Sequence, residues 1–210
     1  MTTETATQIL HATHSALCKH GYAELTMQDI ADETDLCKAS IHYHYEGKHD
    51  LLVAYLDHLY EQFEDRISEP AGETPAERLR GLVGALVAER SDAPAFQTAL
   101  LEIKAQSPYD DAFRSRLQRF DDAFTAAVRE VVAEGVADGT FHEDVDPDAV
   151  ASFLTTYVNG AQTRHAAVGH PLDDSAAAVD AYIDRALRAD QPTSTGGGPS
   201  SETVDVGGTE

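Results

Sequence analysis

TMQDIADETDLCKASIHYHYEGK, running from Thr26 to Lys48, reads as two short helices joined by a turn. Thr26 followed three residues later by Asp29 is a capping-box pattern, in which a hydroxyl and a carboxylate satisfy the first free N–H groups of a helix. Met27, Ile30 and Ala31 then recur at the spacing of one buried helical face. Asp35, Leu36 and Cys37 interrupt that helix, and Asp35 is a residue that tight turns accept. A second short helix is expected from about Lys38 to His44, with Ala39 and Ile41 turned away from Ser40, Tyr43 and His44. Two short helices across a three- or four-residue turn make a helix-turn-helix. In that motif the second helix enters the major groove of DNA and the first crosses the phosphate backbone.

Working outward, Ile9, Leu10, Thr13, Ala16 and Leu17 predict a preceding helix, which Gly21 ends as a C-terminal cap. Cys18 and Tyr22 are expected near its core. After the Glu46-Gly47 turn, Lys48 opens a long helix bearing Leu51, Leu52, Tyr55, Leu56, Leu59, Phe63 and Ile67. Pro70 and Gly72 break it.

The residues Gly21-Tyr22, Thr26, Asp29-Ile30-Ala31, Leu36, Lys38, Ile41, Tyr43-His44-Tyr45, Lys48 and Leu51-Leu52 resemble the TetR family of one-component repressors. The resemblance covers about the first 60 residues and is dense. It departs from the family pattern at Ala39, where a glycine is usual, and at His42, where a tyrosine is usual. Both lie on or beside the reading surface, so no operator sequence carries over. The resemblance implies an all-α chain of about nine helices, a homodimer, double-stranded DNA as partner and a small-molecule effector. It also places Lys48 against a phosphate, beside a helix N-terminus that attracts anions. Thr26, Lys38, Ala39, Ser40, His42, Tyr43, His44 and Lys48 are therefore the candidate DNA-binding residues. Lys38, Ser40, Tyr43 and His44 are the ones expected in the groove.

The rest of the chain reads as further helices without strand-like alternation. Thr74-Pro75 opens one and Ser91 to Pro94 another. Ser107-Pro108 precedes a long helix with Phe113, Leu117, Phe120, Phe124 and Val128, closed by Asp138-Gly139. Asp146-Pro147 starts the next, ended by Gly169-His170-Pro171, and Asp173 or Asp174 is expected to cap the last. The segment from Glu134 to Gly160 resembles the corresponding region of many TetR-type regulators, less specifically than the N-terminus does. The domain organisation expected is a DNA-binding domain over 1–50, a ligand-binding and dimerisation domain over 51–190, and a disordered tail over 191–210. That tail holds five Gly, two Pro and seven Ser or Thr, too little apolar surface to offset its ordering entropy.

Phe96, Leu100, Phe120 and Phe124 read first as core, yet a regulator of this kind needs a cavity among its helices. With Tyr157, Asn159, Gln162 and His165, whose polar groups would orient a ligand, they form the candidate ligand-binding set. An exposed or interfacial face is the competing reading for the polar members. Small residues Gly160, Ala161, Ala177, Ala178 and Ala181 would let the last two helices pack against a twin.

Charge is the unusual feature. The 210 residues carry 15 Lys plus Arg against 37 Asp plus Glu, a net charge of −22. Residues 1–50 alone hold three Lys, no Arg and eight carboxylates. An acidic excess normally argues against nucleic acid. A cytoplasm of molar salt reconciles the two, because charge repulsion is then screened within ~3 Å. A salt-accumulating halophile is the source this composition implies. No apolar run approaches the ~20 residues of a membrane helix, and MTTETATQIL lacks the regions of a signal peptide, so a cytoplasmic protein is expected.

Cys18 and Cys37 are the only cysteines, and buried thiols are the ordinary reading of such a pair. Redox sensing at Cys37 would need a basic neighbour beyond Lys38 to lower its pKa. His42 and His44, two apart on a helix, point to different faces, and no metal-ligand spacing accompanies them or His49. No metal and no cofactor are expected. Absent any nucleophile–base pair or phosphate loop, the chain is not read as an enzyme. Two other classes stand beside the repressor: a helical small-molecule-binding protein without DNA binding, and an enzyme within the C-terminal bundle. A gel-shift with the chain's own upstream DNA at high salt separates the first, and turnover in a substrate screen the second.

Overall fold

The computed structural model describes residues 3–87 and 93–189. Among them are nine α-helices and no strand: α1 Thr3–Glu24, α2 Met27–Asp32, α3 Lys38–His44, α4 Lys48–Ser68, α5 Pro75–Val87, α6 Ala93–Gln106, α7 Asp111–Ala137, α8 Pro147–Val168 and α9 Leu172–Tyr182. A π-helical turn, Ile183–Leu187, follows α9. The expected tail over 191–210, and the expected start at Ser91 of the sixth helix, lie outside the described residues.

Local chemistry explains most boundaries. The helical run of α1 is interrupted at Gly21, whose φ of 70° is the left-handed conformation that glycine adopts most readily. Thr26 and Asp29 form the capping box, with Asp29 N donating to Thr26 Oγ1 and Thr26 N to the Asp29 carboxylate. Asp110 caps α7 by accepting from Phe113 N, and Asp146 caps α8 by accepting from Asp148 N and Ala149 N. Gly169 ends α8 with φ 68°. The last cap differs from expectation. Pro171 holds the N-cap position of α9, and Asp173 and Asp174 lie inside its first turn, where they complement the helix dipole without capping it.

Two hydrophobic clusters form the interior. One joins α4's second half with α5, α7, α8, α9 and the π-turn through Phe63, Leu79, Val83, Phe124, Val128, Leu154 and Ile183. Gly135 belongs to this region, since a Cβ there would stand 2.3 Å from the ring of buried Phe141. The other cluster is the helix-turn-helix core of Ile9, Leu17, Met27, Ile30, Ile41, Leu52 and Leu56. It also takes in Ala99 and Ile103 from α6 and Phe113 from the start of α7. Phe113 thus packs beneath α1 to α4, with His49 stacked on it at 5.1 Å and Tyr22 edge-on at 6.2 Å. Sequence position had put it with the C-terminal helices.

α6 packs between α1 and α8. One face carries Ala99, Glu102 and Ile103 against α1, where the Glu102 carboxylate accepts from Tyr22 N at 2.5 Å. That carboxylate lies where a Cβ on Gly21 would come within 3.0 Å of it.

Candidate functional site: a nucleic-acid face and a cavity behind it

Residues of α2 and α3 fold as a helix-turn-helix because Met27, Ile30, Ala31 and Ile41 are all buried on one side. Their opposite sides are left outward. Thr26, Lys38, Ala39, His42 and Tyr43 are exposed, and Ser40 and His44 are half-buried. Tyr43 is 76% exposed, with His44 edge-on to it at 5.5 Å. An exposed tyrosine ring on a short helix has no packing role in the monomer, and it presents both stacking surface and a hydroxyl. Cys37 sits at the N-cap position of α3 without capping it, its Sγ 3.3 Å from Ser40 Oγ. Contact with the Ser40 hydroxyl and backbone lowers its pKa. Neither cysteine forms a disulfide, and against the expectation of buried thiols Cys18 is half-buried and Cys37 exposed.

The lysines of this face differ in what they have left to offer. Lys19 pairs with Glu33 at 2.7 Å. Lys48 donates to the carbonyl oxygen of Tyr22, and to that of Ala23 at 3.4 Å, and lies 4.7 Å over the Tyr22 ring. Desolvation holds its pKa below the ordinary lysine value, opposed by Glu24, Glu102 and Asp29. Its ammonium therefore ties the α1–α2 junction to the start of α4, a task the sequence did not disclose. Lys38 is exposed and, among the described residues, engages no neighbouring group.

Behind this face lies a cavity of about 960 Å³. Six of the eight expected ligand-binding residues line it: Phe96 and Leu100 from α6, Phe120 and Phe124 from α7, Asn159 and Gln162 from α8. Tyr157 and His165 do not. Tyr157 lies on the far side of α8 from Thr155, Val158, Asn159 and Gln162, and its hydroxyl donates to Ser175 O at 3.1 Å. His165, a turn beyond the cavity, meets His170 O at 3.0 Å through Nδ1 and supports the end of α8 instead.

The cavity also reaches α1, the helix that precedes the helix-turn-helix. Leu10, His11, His14 and Ser15 of α1 form part of its wall. The His14 ring stands 2.6 Å from the Tyr55 hydroxyl and 5.2 Å from the Phe96 ring. Lys104, at the end of the α6 stripe Phe96–Leu100–Lys104, lines the cavity as well. Its Nζ donates to Asn159 Oδ1 at 3.1 Å. The spacing of four residues along α6 was visible in the sequence, but the partner on α8 was not. Among the described residues no three His, Cys, Asp or Glu converge as a metal site, and no helix is long and apolar enough to cross a membrane.

Both parts of the chain are similar to known proteins. The family model for bacterial regulatory proteins of the tetR family matches residues 9–55. That for the C-terminal domain of BetI-type transcriptional repressors matches residues 75–188. A transcriptional repressor, DhaR of Mycobacterium sp. strain GP1, is 26% identical over 149 residues, 70% of this chain and 74% of that protein. A TetR transcription regulator from Haloarcula marismortui superposes with a TM-score of 0.83 at 35% identity, over 89% of this chain and 100% of that one. A regulator from Saccharomonospora viridis, solved in complex with choline, has a TM-score of 0.79 over 90% of this chain and 100% of its own. At 22% identity it shows the shared fold alone.

Proposed function

The chain belongs to the TetR family of DNA-binding transcriptional regulators, and from that premise we propose a homodimeric repressor that releases an inverted-repeat operator when a small molecule enters the cavity. The observation that carries this reading is the double duty of α6. Phe96, Leu100 and Lys104 face the cavity, while Ala99, Glu102 and Ile103 hold α1. A ligand that displaces α6 must move the head that rests on it, because packed interfaces shift between discrete arrangements rather than deforming smoothly.

On the DNA side, Ser40, Tyr43 and His44 read base edges, with Ala39 and His42 beside them. Thr26 contacts a phosphate, Lys38 at the edge of the groove reaches a phosphate as well as the bases, and Lys48 holds the head together and reaches a phosphate only in part. A dimer forms through α8 and α9. Phe153 is 46% and Val168 74% exposed there, and Ala177 and Ala178 are exposed on α9. A Cβ on Gly160 would meet nothing within 4 Å, leaving room for a partner helix. Two-fold symmetry then presents the same reading surface twice, which is why the operator is an inverted repeat. The working compartment is a salt-rich cytoplasm, and the protein regulates without a reaction of its own.

The test is footprinting of the DNA upstream of the chain's own gene in molar potassium chloride. Two symmetric protected half-sites are expected, and Tyr43→Ala and Ser40→Ala change which bases are preferred. Protection of one asymmetric half-site, or none at any salt concentration, overturns the proposal.

A further inference from the structure

Charge on the cavity wall runs against the charge of the chain. The whole sequence has 37 carboxylates for 15 Lys and Arg, yet Lys104, Arg66 and Arg114 border the cavity together with just Asp121 and Asp122. Arg114 is already occupied by Asp111 at 2.7 Å and by the carbonyls of Ser107 and Pro108. Lys104 is in a different position. Its hydrogen-bond partner is the neutral amide oxygen of Asn159, and among the described residues it joins no ion pair. Asp121 is near enough to favour its charge, but the Asn159 amide stands between them, donating to Asp121 Oδ1 at 3.2 Å. Desolvation outweighs that help and keeps the Lys104 pKa below the ordinary lysine value.

An ammonium has three donors, and Asn159 takes one. A desolvated cation with unspent donors disfavours the fold unless something anionic reaches it. The chain keeps four lysines in all, and one of them stands in this position. Its neighbours on the same stripe are apolar. Phe96 and Leu100 lie eight and four residues before it, so the stripe is about 12 Å long, with Phe120 and Phe124 facing the same space.

We propose that the cavity takes an amphipathic monocarboxylate, its carboxylate seated on Lys104 beside Asn159 and its apolar body lying along Phe96, Leu100, Phe120 and Phe124. One ammonium balances one negative charge. A second negative charge on the head would stand next to Asp121. This inference rests on the reading of the cavity as the effector site, and it adds the chemical class of the effector. Seated there, the ligand pushes on the α6 turn that carries Glu102, the residue that holds the Tyr22 amide.

The experiment is calorimetric titration of the full chain, without DNA and in salt that keeps it folded by circular dichroism. The probes are sodium octanoate, 1-octanol and octyltrimethylammonium, which share a tail and differ in head charge. Octanoate is expected to bind at least about tenfold more tightly than either other probe, the value of a charge-assisted hydrogen bond. Lys104→Met should erase that advantage, keep the affinity for octanol, and leave the melting temperature unchanged or raised. Lys104→Arg should retain it. Asn159→Asp, which neutralises the ammonium in place, should erase it too and guards against a misfolded Lys104→Met. Octanoate no tighter than octanol, preference for the quaternary ammonium, or an octanoate preference that survives in either neutralised variant overturns the proposal. DNA binding is measured separately. An octanoate site in a chain that never binds its upstream DNA removes the repressor reading and keeps the carboxylate site, and the reverse result removes the site alone.

Discussion

Raising potassium chloride from 0.2 to 2 M across an operator titration should cost this protein far less affinity than it costs a basic repressor. Each neutralised phosphate contributes about −0.9 to the slope of log affinity against log salt. Residues 1–50 offer three lysines. Lys19 is spent on Glu33 at 2.7 Å, and Lys48 is held by the Tyr22 and Ala23 carbonyls. Lys38 remains, so a dimer neutralises about two phosphates and the intrinsic slope is about −2, roughly a hundredfold over a decade of salt. If Lys48 left its carbonyls for the DNA, the slope would approach about −4. The eight carboxylates of the same segment act in the opposite sense. They repel DNA when the Debye length is ~10 Å at 0.1 M, and that repulsion is lost at ~3 Å in molar salt. The expected profile is weak binding near 0.1 M, improvement towards 1 M, and a decline no steeper than about −2 beyond it. Fluorescence anisotropy of labelled operator, with folding followed by circular dichroism, measures it. A slope steeper than −4 with the tightest binding at the lowest salt would refute both the count of available cations and the explanation of the −22 charge.

Phe113→Ala should destabilise the chain by about 3–5 kcal/mol, the range for a large buried ring, and should weaken DNA binding although α7 lies outside the motif. Chemical denaturation reads the first effect, and a loss below about 1 kcal/mol would mean the ring does not support the head. Asp29→Asn tests the capping box through pH. The Thr26 hydroxyl, then the Thr26 backbone N–H, hold the Asp29 carboxyl below its ordinary value. Its folded pKa is thus lower than its unfolded one of about 3.9. The stabilisation is therefore complete above about pH 4 and is lost as pH falls through the folded value. The melting-temperature gap between wild type and Asp29→Asn should be constant near neutrality and close on acidification; a gap unchanged down to pH ~2 would show that the carboxylate charge plays no part in the cap.

Most of the α-helical order was legible in the chain itself, for local reasons. A capping box, a left-handed glycine and a proline at a first turn act within a few residues, so Thr26–Asp29, Gly21, Asp146-Pro147 and Gly169 could be read without knowing what lay across the fold. The identity of the helix-turn-helix was equally local, since Met27, Ile30, Ala31 and Ile41 are set by helical period. What tertiary structure decided was which surfaces meet. Phe113 and Ile103 are ordinary core residues in sequence, and only the packing of α6 and α7 against α1 assigns them to the DNA-binding head. Tyr157 and Asn159 are two residues apart, and the turn of α8 sends one hydroxyl to Ser175 and one amide to the cavity. Lys48 reads as a phosphate contact until the Tyr22 carbonyl is placed beside it, and nothing local marks Lys104 until Asn159, 55 positions later, is brought to its ammonium. Helix periodicity fixes which residues share a face. The partner of that face is fixed by contacts between segments distant in sequence, and those depend on the packing of all nine described helices at once.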